Sequence, residues 1–528
     1  MKTTTHDKNF HFLLSIGFYL LLGMFFIKYY QYQINNDGIS YITIAQKYMH
    51  GDFVHAINGY WGPLISWLIV PFLFLKINPL AAVKILSLFI GVFCLWSVKS
   101  FTYNFKFNDS IRFILLFTVI PIILFFAFSV ITPDLLLTGF LIYYLNIIFS
   151  ENYAKYRNYG IVCGIMGSFA YLSKAYALPF FIASFILFNC FHYFKNQLKE
   201  RRKNILLNFL WGFVTFSIIS GVWITLLSYK YNEITYGTAG KFIHACLGPN
   251  SSWEIETPIS YAGLIEPPNE TAICAVEDHY YHYSKTMPWN PFESWFSFKH
   301  QLKLILRNVH GIFQIYKSFS VFSFVILIGY ILLIVPPSKN KLLNVELLFP
   351  LLTIVLYQAG YTMVLVDTRY LILVNILILL MGGYILSLLF QYEFFNKTRK
   401  QIVLFFFILS FIAMPIKCLI KDINIGKDIY ELSNTLKYSY NMHGRIASNK
   451  EYHKSVYLSY YLKAKYLGMS KRNLNVEELQ SELKKFKIEF YFVWDEFNKD
   501  YKFLSDFEEI THGKIAGLRV YSLKSFKQ

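Results

Sequence analysis

Charged side chains are scarce in this chain: of 528 residues only 16% are charged, while 55% are hydrophobic and the mean hydropathy is +0.39. That composition excludes an ordinary soluble enzyme of this length. Regular alternation is missing as well. Runs such as "ILSLFIGVFCLWSV" show no period of two, which excludes a membrane barrel of about ten-residue strands. Internal repeats and low-complexity tracts do not stand out. No small-residue cleavage site follows "KYYQYQIN", so the apolar stretch Phe10 to Ile27, preceded by Lys2 and Lys8, is expected to stay as a signal anchor with its N-terminus inside. Cysteine is sparse. Four of the six (Cys94, Cys163, Cys190, Cys418) lie in apolar runs as packing residues, while Cys246 and Cys274 share one polar loop and leave a disulfide open.

What is present is a series of apolar runs of about 18 to 25 residues, each long enough to cross a hydrocarbon core as a helix. The formal charge of +18 sits in short connections between those runs, "ENYAKYRN", "KNQLKERRKN", "PPSKNKLLN" and "NKTRK", the pattern of cytoplasmic loops. Nucleic acid is excluded as a partner, since a basic soluble fold with interleaved aromatics is missing. Treating Trp61 to Lys76, broken by Pro63 and Pro71, as a short helix at the outer interface keeps every basic loop inside. Eleven spans then follow: Phe10–Ile27, Leu80–Ser100, Ile111–Ile131, Leu135–Phe149, Tyr159–Leu172, Tyr176–Phe194, Ile205–Ser228, Phe319–Val335, Val345–Val366, Tyr370–Gln391 and Ile402–Ile420. Residues 1–420 form the transmembrane domain, with a first outer loop over 31–79 and a large polar outer loop over 229–318. Residues 421–528 form a small extracytoplasmic α/β domain, with helical periodicity in "YHKSVYLSYYLKAKYLG" and "NVEELQSELKKFKI" and strands in "EFYFVW" and "AGLRVYSL".

This threading gathers ionisable residues on the outer face: Asp37 in the first outer loop, Asp134 at the lip of one span, Lys174 between two others, and Asp367 with Arg369 at a third. Charges at membrane depth are costly unless paired, solvated or functional, so their convergence predicts a site for a phosphorylated lipid. Lys and Arg neutralise phosphate there, and a carboxylate accepts a proton from an attacking hydroxyl. Structural alternatives stand beside each residue: Asp134 as a helix cap, Lys174 as a snorkelling cation, Arg369 as the partner of Asp367, and Trp61 as an interface anchor. His244, His279, His282 and His310, with "EDHYYHYS", lack a second ligand pair at zinc spacing.

In order along the chain, "NNDGISYITIAQKYMHGDF", "NGYWGPLISWLIVPFL", "ITPDLLLTGFLIYYL", "AYLSKAYALPFF" and "VDTRYLIL" resemble the landmarks of GT-C fold glycosyltransferases. The group most similar is the bacterial one related to protein mannosyltransferases and to the aminoarabinose transferase that modifies lipid A. The resemblance covers about Phe10 to Leu373. It implies a polyprenyl-phosphate-linked sugar as donor, a glycan, lipid or protein as acceptor, transfer outside the cytoplasmic membrane, and inversion at the anomeric carbon. It makes Asp37 the general base. It makes Lys174 and Arg369 phosphate ligands, Asp134 a residue that orients sugar or acceptor, and Tyr41, Tyr60, Trp61 and Tyr370 further substrate contacts. A family version with two acidic residues in the first loop is not matched, because Asp37 is flanked by Asn36 and Gly38; a divalent metal therefore stays open rather than implied. The rival functions are a flippase or transporter for lipid-linked glycans, and a glycan polymerase or ligase.

Overall fold

The computed structural model describes residues 5–249, 263–279, 288–334, 345–471, 475–495 and 504–523. The basic stretch "PPSKNKLLN" and His282 lie outside the described residues. The chain opens with α1 (Thr5–Ile27) and then folds the first loop into α2 (Asn36–Met49), α3 (Phe53–Ala56) and α4 (Pro63–Phe74). It returns through the bundle as α5 (Pro79–Thr102), α6 (Asp109–Ser129), α7 (Asp134–Ile148), α8 (Tyr159–Ser173), α9 (Ala177–Lys195) and α10 (Lys199–Tyr231). The sequence starts these helices with its own caps. Asn78 accepts from the amides of Leu80 and Ala81 at 3.0 and 3.4 Å, and Pro79 fills the first helical position, where no amide donor is needed. Asn108 accepts from Ile111 N at 2.8 Å at the head of α6.

The most intimate helix pair is α8 with α10. A Cβ on Gly160 would meet the Asn208 carbonyl oxygen at 1.9 Å, and one on Gly164 would meet that of Gly212 at 2.3 Å, so the two backbones touch only because these side chains are absent. Asn208 seals the contact. Its Oδ1 accepts from Gly160 N at 3.0 Å, and its Nδ2 donates to the carbonyls of Tyr153 and Tyr156 at 2.8 and 2.7 Å.

Further along are α11 (Ala239–Cys246), α12 (Trp295–Phe319), α13 (Ser323–Ile334), α14 (Val345–Met363), a 3₁₀ turn at Thr368–Leu371, α15 (Ile372–Leu389) and α16 (Lys397–Lys421). The chain is a multi-pass helical membrane protein. Among the described residues seven helices are long and apolar enough to cross a membrane, counting the 3₁₀ turn with α15. All eleven expected spans fall on helices, but the described structure does not carry eleven full spans. At 15 residues, α7 and α8 each extend only about 22 Å, short of a hydrocarbon core of about 30 Å. The expected span from Phe319 is half of a pair, α12 and α13, bent by 100° at Ser320–Phe322. Thus α12 lies inside the stretch expected to be a polar loop. It buries Gln301, Leu304, Asn308, Ile312 and Tyr316 at helical spacing and leaves its other faces open, so mean polarity concealed a one-sided helix. The expected interfacial helix is the 12-residue α4, which packs against α2, α5 and α8.

After α17 (Lys427–Tyr440) come β1 (Arg445–Ser448), α18 (Tyr452–Leu462), β2 (Lys465–Met469), α19 (Val476–Lys485), β3 (Phe490–Trp494), β4 (Glu508–Glu509) and β5 (Leu518–Ser522). The sheet order is β2-β1-β3-β5-β4, with β1 parallel to both β2 and β3, and β5 antiparallel to β3 and β4. The "KYLG" stretch, expected to continue a helix, is strand β2. The left-handed Lys463 (φ 55°) stops α18, and Tyr466, Leu467 and Met469 are buried in the sheet. The outer edge of β2 is covered by residues 265–273: Ile265 N donates to Leu467 O and Tyr466 N to Ile273 O, both at 2.7 Å. A second tie joins the bundle, where Asn424 N donates to Tyr29 O at 2.9 Å.

Candidate active site

Two carboxylates stand in the first turns of two helices, where the amide ends favour negative charge: Asp37 in α2 and Asp134 in α7. One clamp sets their spacing. Asn35, ahead of α2, accepts from Ile131 N at 2.9 Å and donates to Ile131 O at 3.3 Å, fastening α2 to the α6–α7 connection. Arg369 enters from the 3₁₀ turn, which is held by Asp367 Oδ1 accepting from Arg369 N at 3.2 Å. Its Nη1 donates to Asp37 Oδ2 at 2.6 Å, and its Nε lies 3.6 Å from Asp367 Oδ2 and 4.0 Å from Asp134 Oδ2. Lys174, where α8 ends, reaches Asp134 Oδ1 at 2.7 Å. The close approach of Gly62 to the Ser173 carbonyl, where a Cβ would sit at 2.2 Å, brings the start of α4 against this lysine.

All five expected charged residues, Asp367 included, therefore meet in one network, but they do not share one surface. Asp37 and Arg369, with Tyr60, Trp61 and Tyr370, line a cavity of about 660 Å³; Asp134, Lys174 and Tyr41 do not. Asp134 is 3% exposed and sits behind Arg369, holding the two cations. Lys174 also packs its ammonium over the Tyr370 ring, 3.6 Å from the centroid, with Tyr361 and then Tyr176 stacked behind. Burial pulls the Lys174 ammonium below the ordinary lysine value, against the pull of Asp134. Burial, and then the charge of Asp37, push the phenols of Tyr41 and Tyr60 well up, so both remain protonated donors. Tyr60 stacks on His279 with centroids 3.9 Å apart, and Trp61 Nε1 donates to Val276 O at 3.3 Å.

Several wall residues lay beyond sequence reasoning. His453 and Tyr457 of α18 line the cavity, and His453 Nδ1 meets Asn36 Nδ2 at 2.8 Å. Their i, i+4 spacing marked a helix face, but nothing in the sequence pointed that face at Asp37. The "ED" of "EDHYYHYS" is structural in its described part. Glu277 takes the buried Lys47 ammonium, Thr43 Oγ1 at 2.6 Å and Asn269 Nδ2 at 3.2 Å, while Asp278 pairs with Lys230 at 3.3 Å. Among the described residues no group of three or more His, Cys, Asp or Glu is placed to hold a metal ion. Cys246 and Cys274 are buried free thiols, not a disulfide, and burial pushes each up to about 12.

The chain matches no protein-family model and no curated protein. Solved structures do share its fold. The oligosaccharyltransferase of Archaeoglobus fulgidus in its apo form is 11% identical with a TM-score of 0.57, over 93% of this chain and 70% of that one. ArnT of Cupriavidus metallidurans, bound to undecaprenyl phosphate, is 10% identical with a TM-score of 0.55, over 97% of both chains. The same ArnT in its apo state gives 0.52 at 10% identity, over 97% of this chain and 98% of that one. The architecture shared with these proteins is the GT-C fold.

Proposed function

Starting from the GT-C fold, we propose that this chain is a membrane glycosyltransferase that moves a sugar from a polyprenyl-phosphate carrier to an acceptor hydroxyl on the extracytoplasmic face of the cytoplasmic membrane. The observation that carries the reading is the Asp37–Arg369 pair, drawn together across 332 residues in the wall of a cavity at one end of an apolar helix bundle. In the reaction, Asp37 takes the acceptor proton while the acceptor oxygen bonds to the anomeric carbon. The bond from that carbon to the phosphate oxygen breaks, and the lipid phosphate leaves as an anion. Arg369 receives the phosphate charge with Lys174 behind it, so cations replace a general acid.

A phosphate beside Arg369 competes with Asp37 for the guanidinium and turns the carboxylate toward the incoming hydroxyl. Asp134, buried and already bound to Lys174, is suited to holding cations rather than attacking sugar. Two carboxylates line the cavity, but Asp367 is engaged at the head of the 3₁₀ turn, where it accepts from Arg369 N; with Asp37 acting as base rather than nucleophile, the reaction is a direct displacement with inversion. The ArnT structure with undecaprenyl phosphate supports a lipid of that class as carrier. The positive loops support a cytoplasmic N-terminus, with residues 421–528 on the opposite side. A second reading, transfer of a whole lipid-linked glycan, is favoured by the fold shared with an oligosaccharyltransferase.

The test is transfer by purified protein in lipid from a panel of radiolabelled polyprenyl-phosphate sugars, with a membrane extract as acceptor. Single-sugar transfer that disappears in Asp37→Asn, with donor binding retained, supports the first reading. Turnover only of oligosaccharide donors selects the second, and turnover of none, with glycolipid translocation intact, selects a flippase.

A further inference from the structure

A second and larger cavity, about 1300 Å³, lies between the first loop, the head of α5, the 270–273 segment and the C-terminal domain. Among the described residues its lining carries six lysine or arginine side chains against two carboxylates. Three of the cations are already paired: Lys47 with Glu277, Arg445 with Glu266 and Lys465 with Glu270. Lys84 is different. It is 1% exposed, and among the described residues no carboxylate stands within ion-pair reach of it. Its ammonium has three N–H donors, of which Gln33 Oε1 takes one and Phe128 O, at 3.5 Å, a second. A buried ammonium without a counter-charge is costly, and Lys84 is one of the residues that line the cavity. Lys463, exposed on the same wall, has no described carboxylate partner either.

The cavity also presents tyrosines. Tyr32, Tyr430 and Tyr461 stand in a row with centroids 4.9 and 5.3 Å apart, and flat rings with hydroxyl edges suit the faces and hydroxyls of a sugar. The two cavities share walls. Asn36 and Asp37 of α2 line the first, and Thr43, Gln46 and Lys47 line the second, about 9 to 15 Å along the same helix from Asp37. Gln33 joins them directly, taking Lys84 on one side and donating to Ser129 O, in the first cavity's lining, at 3.0 Å.

We infer that the second cavity is an acceptor site for a phosphorylated saccharide, whose phosphate is neutralised by Lys84 and Lys463 and whose sugar lies along the tyrosines toward Asp37. Calling the ligand an acceptor rests on the glycosyltransferase reading; the anion site itself does not. The phosphate belongs either to a soluble glycan or to a lipid headgroup, and both put the same charge on the same lysines.

The experiment is calorimetric titration of the full chain in a polyoxyethylene detergent with maltose 1-phosphate, maltose and dihexanoyl phosphatidic acid. A phosphorylated probe should bind at least tenfold more tightly than maltose, and its affinity should fall at least tenfold in Lys84→Met and in Lys463→Glu. The second variant lies on the surface and keeps the test valid where Lys84→Met does not fold. Arg369→Gln should leave this affinity unchanged. Preference for maltose 1-phosphate assigns a glycan phosphate, and preference for phosphatidic acid a lipid one. Equal binding of maltose and its phosphate overturns the inference, as does binding that survives Lys463→Glu but disappears in Arg369→Gln. Phosphate binding with no sugar transfer from any donor leaves the anion site standing and removes only the glycosyltransferase reading. Transfer whose acceptor KM is unmoved in Lys463→Glu removes only the acceptor site.

Discussion

The Arg369 guanidinium donates to the Asp37 carboxylate at 2.6 Å and lies 4.0 Å from Asp134, so one cation from a distant part of the sequence holds together the first turns of α2 and α7. It is at once the partner of the proposed base and the proposed ligand of the leaving phosphate.

Replacing Asp37 by Asn keeps the side-chain shape and removes the proton acceptor. Transfer should fall by about 10²- to 10⁴-fold, measured as radiolabel incorporated at saturating donor, while donor binding persists. Arg369→Lys should act differently. A point charge replaces the fork that spans Asp37 and Asp134, and the donor KM should rise at least about tenfold, measured by donor titration.

The Lys174 ammonium sits below the ordinary lysine value because it is buried. A lowered lysine loses its proton earlier as pH rises, so kcat/KM for donor should decline at a pH below the ordinary lysine value of about 10.4. Lys174→Arg stays charged throughout, and its alkaline decline should move up or vanish. A pH–rate profile of the two proteins decides this.

Glu277→Gln should leave Lys47 buried without its counter-charge while preserving volume. Breaking such a pair costs about 3–5 kcal/mol, so the melting temperature in detergent should drop sharply. Adding Lys47→Met to that variant should recover much of the loss, because the stranded charge is then gone.

Gly160→Ala should destabilise α8 against α10 by about 1–3 kcal/mol, since the added methyl meets the Asn208 carbonyl and the helices must part. Thermal melting in detergent reads the loss, and Gly221→Ala on the open face of α10, where a Cβ meets nothing within 4 Å, is the control.

Asp37, Asp134, Lys174 and Arg369 were legible because each is an ionisable residue at the edge of an apolar run, where composition changes abruptly. The order of the runs was legible for the same reason. His453 was not, because its neighbour Asn36 lies 417 residues away and no local pattern encodes that meeting. Lys84 lies inside an expected span, and only the fold shows that Gln33 and the end of α6 receive it. Helix α12 and strand β2 were missed for local reasons, a one-sided burial pattern averaged into polarity and a left-handed Lys463 that ends a helix within an otherwise helical stretch.

The contact between His453 and Asn36 also sets a timetable. Part of the wall facing Asp37 belongs to α18, which follows the described membrane helices in the chain, so the cavity wall is complete only once that helix has been made. A chain ending after α16 would carry Asp37, Arg369, Lys174 and Asp134 and still lack the part of the chamber wall that His453 and Tyr457 supply.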